Sequence, residues 1–439
     1  MPSQTFDTYP QGLLQREHPR ATPPEFVREA LNVAVVRGRW RSRPGVRPFT
    51  AAKSGGIIRG IHTHYRADGT RDFLSAAAAL IQRNPPYGDP VTLPLTSMPS
   101  TEQTRVDPTA GVRFLSVSGT SGLTFIYDGV NPNLKWDGTA LTKMGQPTPT
   151  NAPAAPTNIA GSVNPGQRNY VYTLWTPYHE SEPSPVLAVT QAATGGKRFA
   201  SPANGVDFDD PQVTQWKLYA TRAAGAQLFF VGKADLTVSI DHTVADNSLG
   251  PSSLEQLVND PPVGKFFTLV EHQSIVFGVD VTDRNLVRFC HSTKDYLAPE
   301  GWPFGNTVPV AHGDGDEIQL LASFGDQLIV FKRLGVWTIS GSLNDGWNVN
   351  PVLASGGAQR TGIGCIAAGA VIHLENEIIF PSRDGFYVIE RGSSLESQKV
   401  HARKISNAID TLYACANFAL GAAASYDRKR QVYIYWGHG

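Results

Sequence analysis

Four arginines at alternate positions form the most regular charged pattern in the chain: Arg37, Arg39, Arg41 and Arg43. Alternate residues of an extended strand lie on one face, so the pattern predicts a basic stripe on a strand. Guanidinium groups arranged in this way contact phosphates without reading base sequence, which suits a surface along which DNA passes. A solvated edge strand that is protected by charge has the same pattern, and both interpretations stay open at this stage.

Two other groups of side chains have the chemistry of metal ligands. His62 and His64 fall on one face of a predicted strand, but no third ligand lies nearby, so the pattern favours histidines on the polar face of a sheet. Asp314, Asp316 and Glu317 lie in a glycine-rich acidic loop whose spacing differs from that of an EF-hand, and a simple turn is favoured over a calcium site. We therefore predict no metal site and no cofactor.

Signatures of known catalytic sites are missing from the sequence. The glycine-rich segment Ser355–Gly364 lacks the lysine and hydroxyl residue of a P-loop, and neither G-x-S-x-G nor H-E-x-x-H occurs. Ser382–Gly385 approaches the aspartate box of sialidases, but its glycine comes one position early and the expected tryptophan does not follow, so it is read as a β-turn. Two carboxylates could still meet in space to cleave a glycosidic bond. On balance the sequence predicts a protein that is not an enzyme.

Composition narrows the class of protein. The 439 residues carry 38 basic and 38 acidic side chains, so no net field attracts nucleic acid or membranes. Only 17% of residues are charged, below the roughly 25% of ordinary domains, which suggests a surface largely covered by partners. Neither a membrane span nor a signal peptide is recognisable, so we expect folding in a cytoplasm. Cys290, Cys365 and Cys415 sit in or beside apolar runs and are predicted to be buried free thiols.

Six strand-forming segments recur along the chain, each followed by a turn and a second strand. Their central residues are Leu74, Phe125, Val276, Ile329, Ile379 and Tyr433. Most intervals are about 50 residues, in the range of a propeller blade, and one is longer by about 100 residues, the size of an inserted domain. We predict an all-β fold, a β-propeller of about six blades with an inserted β-sandwich. An irregular pair of β-sandwiches with coincidental spacing is the alternative.

The predicted domains follow from this spacing. They are a polar, proline-rich arm over 1–30, the first part of the propeller over 31–150, the sandwich over 151–262 and the second part of the propeller over 263–439. The stiff linker Gly145–Pro156 marks the first boundary of the sandwich. Within the sandwich, Tyr170–Pro185 resembles the fibronectin type III pattern, in which an aromatic strand turns through Glu-Ser-x-Pro-Ser.

Two local expectations concern the ends of the propeller. Strand Asn32–Val36 is expected to pair with the last strand, Val432–Trp436, and so to remove an exposed sheet edge. Apolar residues at helical spacing predict one helix over Ala402–Tyr413.

Several short blocks, in order along most of the chain, resemble the nozzle proteins, or tail tubular protein B-like proteins, of short-tailed bacteriophages. The matching blocks are the strand before Arg43–Gly45, Trp136–Gly138 leading to Gly145–Pro147, Tyr170–Pro185, the hairpin of Phe324–Phe331 with Gly335–Ile339, and Lys404–Ile409. The resemblance implies a propeller platform with inserted modules that assembles as a hexameric ring below the tail adaptor protein, near the tail fibres. Such a ring forms the channel, with its gate, through which double-stranded DNA leaves the virion.

On this resemblance the chain is expected to be a structural virion protein, the tail nozzle subunit, in which Arg37, Arg39, Arg41 and Arg43 contact the DNA channel or a neighbouring subunit. A receptor-binding tail protein that recognises a host surface glycan is the alternative function. Carbohydrate sites need exposed aromatic rings beside polar groups, and the candidates are Trp302, Trp347, Tyr296 and Tyr178.

Overall fold

The computed structural model describes residues 57–93, 111–202, 212–250, 264–354, 362–391 and 400–426, apart from gaps at 67, 78–79, 85–88, 118–121, 147, 291, 294–295 and 298. It also describes Asp260 and the backbones of the further strands given below. Throughout this part the protein is all-β, with several four-stranded antiparallel sheets. The all-β fold class predicted from the sequence is confirmed.

Two short strand pairs precede the first full sheet. They are the parallel pair β1 (Gly12–Leu13) and β2 (Phe26–Val27), and the antiparallel pair β3 (Val33–Val36) and β4 (Arg39–Ser42). The first sheet has the order β5 (Ile58–Tyr65), β6 (Arg71–Ala77), β7 (Leu80–Arg83), β8 (Val91–Thr92). The second sheet comprises β9 (Arg113–Val117), β10 (Leu123–Tyr127), β11 (Leu134–Trp136) and β12 (Leu141–Lys143), again as a meander.

The next seven strands form two sheets that pack face to face. Their bounds are β13 (Thr157–Val163), β14 (Gly166–Trp175), β15 (Leu187–Gln191), β16 (Gly195–Phe199), β17 (Gln215–Thr221), β18 (Leu228–Asp235) and β19 (Ile240–His242). One sheet has the order β13-β16-β19 and the other β15-β14-β17-β18. Tyr172, Leu174 and Trp216 of the larger sheet share a buried core with Phe199 and Ile240 of the smaller one, so this segment is a two-layer sandwich.

After the sandwich the meander pattern returns. The third sheet has the order β20 (Phe266–His272), β21 (Ile275–Asp280), β22 (Leu286–Phe289), β25 (Thr307–Pro309), with the hairpin β23 (Ser292–Thr293) and β24 (Tyr296–Leu297) between its last two strands. The fourth sheet comprises β26 (Ile318–Phe324), β27 (Gln327–Lys332), β28 (Val336–Ser342) and β29 (Gly346–Pro351).

The fifth sheet contains β30 (Leu353–Ala354), β31 (Ile372–His373), β32 (Glu377–Ser382), β33 (Gly385–Arg391) and β34 (Val400–Lys404), with β30 parallel to β34. The sixth sheet consists of β35 (Ala416–Tyr426) and β36 (Val432–His438). In the chain, α1 (Asp410–Ala414) lies between the fifth and the sixth sheet, and it is the one α-helix in the described part.

Successive sheets share cores in chain order. The first and second sheets bury Leu74 and Ile81 against Ile126 and Trp136. The second and third sheets are joined by hydrogen bonds, from the Tyr127 hydroxyl to the Leu269 carbonyl (3.2 Å) and from the Phe266 amide to the Asn133 side chain (2.9 Å). Further cores lie between the fourth and fifth sheets and between the fifth and sixth. A single antiparallel sheet has two faces to cover, and in each of these pairs a neighbouring sheet covers one of them.

The chain divides into two compact units. The central unit, Phe49–Pro309, contains the first, second and third sheets and the sandwich. The terminal unit joins Met1–Pro48 to Val310–Gly439 and contains the fourth, fifth and sixth sheets.

Three local predictions were wrong. The helix expected over Ala402–Tyr413 is confined to α1, preceded by a 3₁₀ turn at Asn407–Ile409, because the ladder between β33 and β34 extends the strand to Lys404. Strand β3 pairs with β4 rather than with the last strand. Cys290 and Cys365 are buried, as predicted, but Cys415 is exposed, in the turn that follows α1.

Candidate functional site

The arginine stripe coincides in part with an ordered hairpin. Arg39 and Arg41 lie two residues apart in β4, opposite Val36 and Ala34 of β3, so the strand on which the prediction depends is present. Arg37 and Arg43 lie outside the described residues. Contact of the stripe with DNA or with a second subunit stays a prediction.

The two histidines on β5 bind hydroxyl groups of the neighbouring sheet. His62 Nε2 lies 2.7 Å from Ser116 Oγ, and His64 Nδ1 lies 2.9 Å from Thr124 Oγ1. Ser116 Oγ and Thr124 Oγ1 are themselves 3.1 Å apart, and the ring of His62 stacks on Phe114. The histidines therefore belong to a row of hydrogen bonds between the first and second sheets, next to the apolar core that the two sheets share.

Burial keeps both imidazoles neutral at physiological pH. It lowers the pKa of His62 to about 4, and the neighbouring His64 adds to the shift. The pKa of His64 is lowered as well, chiefly by burial and against the opposing influence of Asp72. Neutral rings can exchange hydrogen bonds with hydroxyl groups, whereas charging them would require water that the interface between the sheets excludes.

A lysine occupies the centre of the acidic loop that could have held calcium. The Nζ atom of Lys332 donates to both carboxylate oxygens of Asp314 at 2.9 Å and to the Ala311 carbonyl at 3.1 Å. Asp316 instead accepts the backbone amides of Arg333 and Leu334. In the described part of the chain, no group of three or more His, Cys, Asp or Glu side chains is arranged to hold a metal ion.

The glycine-rich segment has a packing role at its described end. A Cβ atom at Gly364 would lie 2.4 Å from the carbonyl group of Arg333, so only glycine allows this close approach of two backbones. Gly362 donates its amide to the Leu334 carbonyl at 2.8 Å. Residues 355–361 lie outside the described part.

A buried ion pair joins the second sheet to the loop after β24. Lys135 of β11 donates from Nζ to Glu300 Oε2 at 2.5 Å, and the two side chains are 3% and 0% exposed. The other carboxylate oxygen, Glu300 Oε1, accepts the amide of Gly145 at 2.9 Å. The ammonium group also lies 5.4 Å from the centre of the Tyr178 ring, which belongs to the sandwich.

The linker residue that follows Gly145 ties the same place to the sandwich. Gln146 Nε2 donates to the carbonyls of Leu174 (3.1 Å) and His179 (2.9 Å), at the end of β14. Gln212, just before β17, donates back to the Gly145 carbonyl at 3.0 Å. We call the set Lys135, Gly145, Gln146, Tyr178, Gln212 and Glu300 the junction. It holds the sandwich to the second and third sheets through buried polar contacts.

The sequence-based reasoning missed the junction. The linker was recognised as proline-rich, but its first residues are clamped and are not a free spacer. One signal was available: Lys135 stands between Leu134 and Trp136 in a short apolar strand, where a charge must find a buried partner. The partner lies 165 positions away at Glu300, and no local pattern identifies it.

Two serines in the fibronectin-like segment complete a hairpin that prolines interrupt. Ser181 and Ser184 donate their backbone amides to the Leu174 and Tyr172 carbonyls, each at 2.9 Å. Their hydroxyls accept the amides of the same two residues, at 2.9 and 3.0 Å. The hydroxyls thus take the place of backbone carbonyls, which the irregular chain around Pro183 does not present to these two amides.

The aromatic residues considered for glycan binding differ in their accessibility. Trp302 is 3% exposed and its ring packs 4.6 Å from that of Phe266. Tyr178 is half-buried at the junction, and burial raises its pKa, with Asp137 and Glu300 adding to the shift. Trp347 is half-buried on β29, and the Tyr296 side chain lies outside the described residues. None of the three described rings is fully exposed.

Comparison with known proteins identifies no family. No family model and no curated protein matches the chain. Among solved structures, the extracellular domain of a B. thetaiotaomicron protein described as a one component system is 12% identical, with a TM-score of 0.33 over 88% of this chain and 40% of that one. A second B. thetaiotaomicron extracellular domain, from a hybrid two component system, is 8% identical, with a TM-score of 0.29 over 88% of this chain and 39% of that one.

Kluyveromyces lactis Hsv2p is 9% identical, with a TM-score of 0.28 over 87% of this chain and 97% of that one. The chain thus spans about 40% of the length of the first of these structures. Similarities at these TM-scores carry no argument about function. The described helices include none whose length and apolarity would let it span a membrane.

Proposed function

We propose that the protein is a structural subunit of a short-tailed bacteriophage virion, the tail nozzle, and that it forms a ring-shaped DNA exit channel at the distal end of the tail. Its fold on this proposal is a β-propeller of about six blades, interrupted by a fibronectin type III-like sandwich. It needs no cofactor and catalyses no reaction. The sequence resemblance to nozzle proteins supplies the identity, and the described geometry supports the architecture that this role requires.

Support for the propeller comes from the order and packing of the sheets. Three successive sheets pack in chain order in the central unit, and three more do so in the terminal unit. Antiparallel meanders that cover one another's faces in sequence are the blades of a propeller when they are arranged around an axis. The terminal unit contains both the N-terminal hairpin β3–β4 and the last pair β35–β36, although these form two separate sheets.

The junction is the observation that carries the structural role. A module that served as a mobile tether would be joined by a solvated linker, whereas here the first linker residues and a fully buried carboxylate bind both sides. A channel wall must keep its shape while DNA passes, and buried, mutually satisfied polar contacts favour one geometry. Fixed placement of the sandwich therefore suits a building block.

The partners on this proposal are copies of the same chain, a hexamer by the resemblance, together with the tail adaptor protein and tail fibres. Passing DNA contacts the ring only transiently, because phosphate contacts from a short arginine stripe are independent of sequence and weaken with salt. The protein is made in the host cytoplasm and ends in the virion.

Electron microscopy of the purified full-length protein, with light scattering for mass, tests the proposal. We expect closed rings of identical subunits, and binding of antibodies against the protein at the distal tip of the phage tail. A monomer that binds defined oligosaccharides on a glycan array would instead favour the receptor-binding alternative. A protein that stays monomeric and binds no oligosaccharide would overturn the nozzle proposal.

A further inference from the structure

A cleft opens between the fourth and fifth sheets, inside the terminal unit. Its volume is about 290 Å³, and its lining combines β27, β28 and β29 of one sheet with β34 of the other. Ligand pockets commonly measure about 300–1,000 Å³, so this one is large enough for a single small molecule and too small for an oligosaccharide chain.

The polar lining is unexpected from its place in the fold. On the face of the fourth sheet that meets the fifth, Phe331 pairs with Val336 in the shared apolar core. Two residues further along each strand, the apolar Ile329 is paired with the polar Thr338. Gln327 and Ser340, which also line the cleft, follow two residues beyond these in their strands. Polar side chains in a core-facing row are more informative than apolar ones, because their burial must be compensated.

The chemistry of the lining is that of uncharged hydrogen bonding. Besides Gln327, Thr338 and Ser340, it contains Asn350 and His401, and none of the described residues that line it carries a carboxylate, ammonium or guanidinium group. Amide and hydroxyl side chains both donate and accept, as sugar hydroxyls do. Pro351 and Val400 add apolar surface against which the C–H face of a sugar ring can lie, in place of the exposed aromatic ring expected of a glycan-binding surface.

One buried atom lacks a partner at this place. His401 Nδ1 is inaccessible to solvent and receives no hydrogen bond from any described residue. Buried polar atoms are nearly always paired, so an unpaired nitrogen on a residue that lines the cleft points to a partner beyond the described residues. Thr338 and Asn350 are already held in place, since the Thr338 hydroxyl donates to the Asn350 carbonyl at 3.3 Å.

We propose that this cleft binds one uncharged sugar ring. A phosphate or carboxylate would need a cation, and the described residues of the lining include no ammonium or guanidinium group. A nucleobase would need a ring to stack on, and the one ring in the described lining is the small imidazole of His401. Hydroxyl groups on a compact apolar ring match both the carboxamide and hydroxyl side chains and the apolar wall. The site is separate from the arginine stripe and does not depend on the nozzle proposal.

Saturation-transfer NMR on the full-length protein tests the site, with D-glucose, D-galactose and N-acetyl-D-glucosamine as probes and glycerol as the comparator. We expect transfer to at least one sugar and none to glycerol. Asn350→Trp places a large ring in the cleft from an exposed position, and should abolish transfer. Asn348→Trp makes the same change at an exposed position two residues along the same strand that does not line the cleft, and should preserve transfer.

His401→Phe keeps an aromatic ring and removes both ring nitrogens, so binding should weaken about fivefold if one of them bonds the sugar, the equivalent of one hydrogen bond. Absence of transfer to all three sugars would overturn the site, as would transfer that survives Asn350→Trp. If glycerol binds as well as the sugars and is lost in the same variant, the cleft holds an adventitious additive only, and the proposal fails. Ring formation by these variants is a separate measurement and is expected to be unchanged.

Discussion

Removal of the Lys135 ammonium group is the sharpest test of the junction. Lys135→Met keeps the length and the apolar stem of the side chain but leaves the carboxylate of Glu300 buried without its cation. Glu300 is fully buried, and its only other described polar contact is the 2.9 Å hydrogen bond from the Gly145 amide. The change removes the ion pair and the longer contact of the ammonium group with the Tyr178 ring, and leaves that hydrogen bond available.

The magnitude follows from burial. Breaking a buried ion pair by removing one partner costs about 3–5 kcal/mol, whereas replacing both charges by neutral groups is often close to neutral. We expect Lys135→Met and Glu300→Gln each to destabilise the junction within that range. The double variant should lose only about 1 kcal/mol, because a glutamine at 300 can still accept the Gly145 amide and leaves a single unpaired amide group.

Hydrogen exchange with mass spectrometry on the full chain measures the effect, because a protein of several units has no single unfolding free energy. The amides of β11 and β14 should exchange faster in each single variant and recover in the double variant. The exposed ion pair Arg198–Asp241 of the sandwich provides the control, since Arg198→Met should change exchange much less.

Two results would refute the reasoning. If Lys135→Met exchanges like the wild type, Glu300 is solvated and the junction is not buried in solution. If the double variant is as unstable as the sum of the two single variants, the charges do not act as a pair.

Three further predictions follow from other contacts. Burial lowers the pKa of His242 to about 4, and the nearby Arg168 adds to the shift. As the pH falls below about 6.5, this histidine therefore gains a proton in the unfolded chain while it stays neutral in the folded sandwich. The sandwich should therefore lose about 2 kcal/mol between about pH 7 and pH 5. His242→Phe should abolish most of that loss when hydrogen exchange is measured at both pH values. As a control, Phe199→Leu should weaken the sandwich equally at the two pH values. An unchanged pH dependence in His242→Phe would contradict the assignment of the loss to this histidine. Gly364→Ala should destabilise the fourth and fifth sheets by at least about 2 kcal/mol, measured by hydrogen exchange of the β27 and β32 amides, because its Cβ meets a backbone carbonyl. Gly305→Ala, in open space, should change exchange little, and equal effects would refute the packing argument. Charge reversal of the whole stripe should lower DNA ejection or particle assembly, and normal particles with normal infectivity would dispose of the role proposed for Arg37, Arg39, Arg41 and Arg43.

The secondary structure could be predicted where the signal is local. The segment around Ile329 alternates and ends in a polar turn, and the structure has β27 and β28 there with Gly335 in the turn. The helix over Ala402–Tyr413 was overestimated because its spacing also fits a strand end followed by a turn. The ladder from β33, a contact across the sheet, decided between them.

The candidate sites could be recognised by residue type but not by partner. His62 and His64 were expected on the polar face of a strand, but they lie on the face that is buried against the second sheet. Ser116 and Thr124, their hydrogen-bond partners there, are 54 and 60 positions away. Likewise, Asp314 in the acidic loop was seen as a possible cation ligand. The cation it binds is the ammonium group of Lys332, supplied by the next hairpin.

The sequence by itself determined the all-β class and the recurrence of strand pairs, because strand periodicity and turn chemistry act over a few neighbouring residues. Only the tertiary structure decided which buried charges meet, how the sandwich is clamped and where the lining between two sheets turns polar. Those outcomes depend on side chains that are distant in the chain and share one water-excluded space, and burial there sets both their pKa values and the cost of leaving them unpaired.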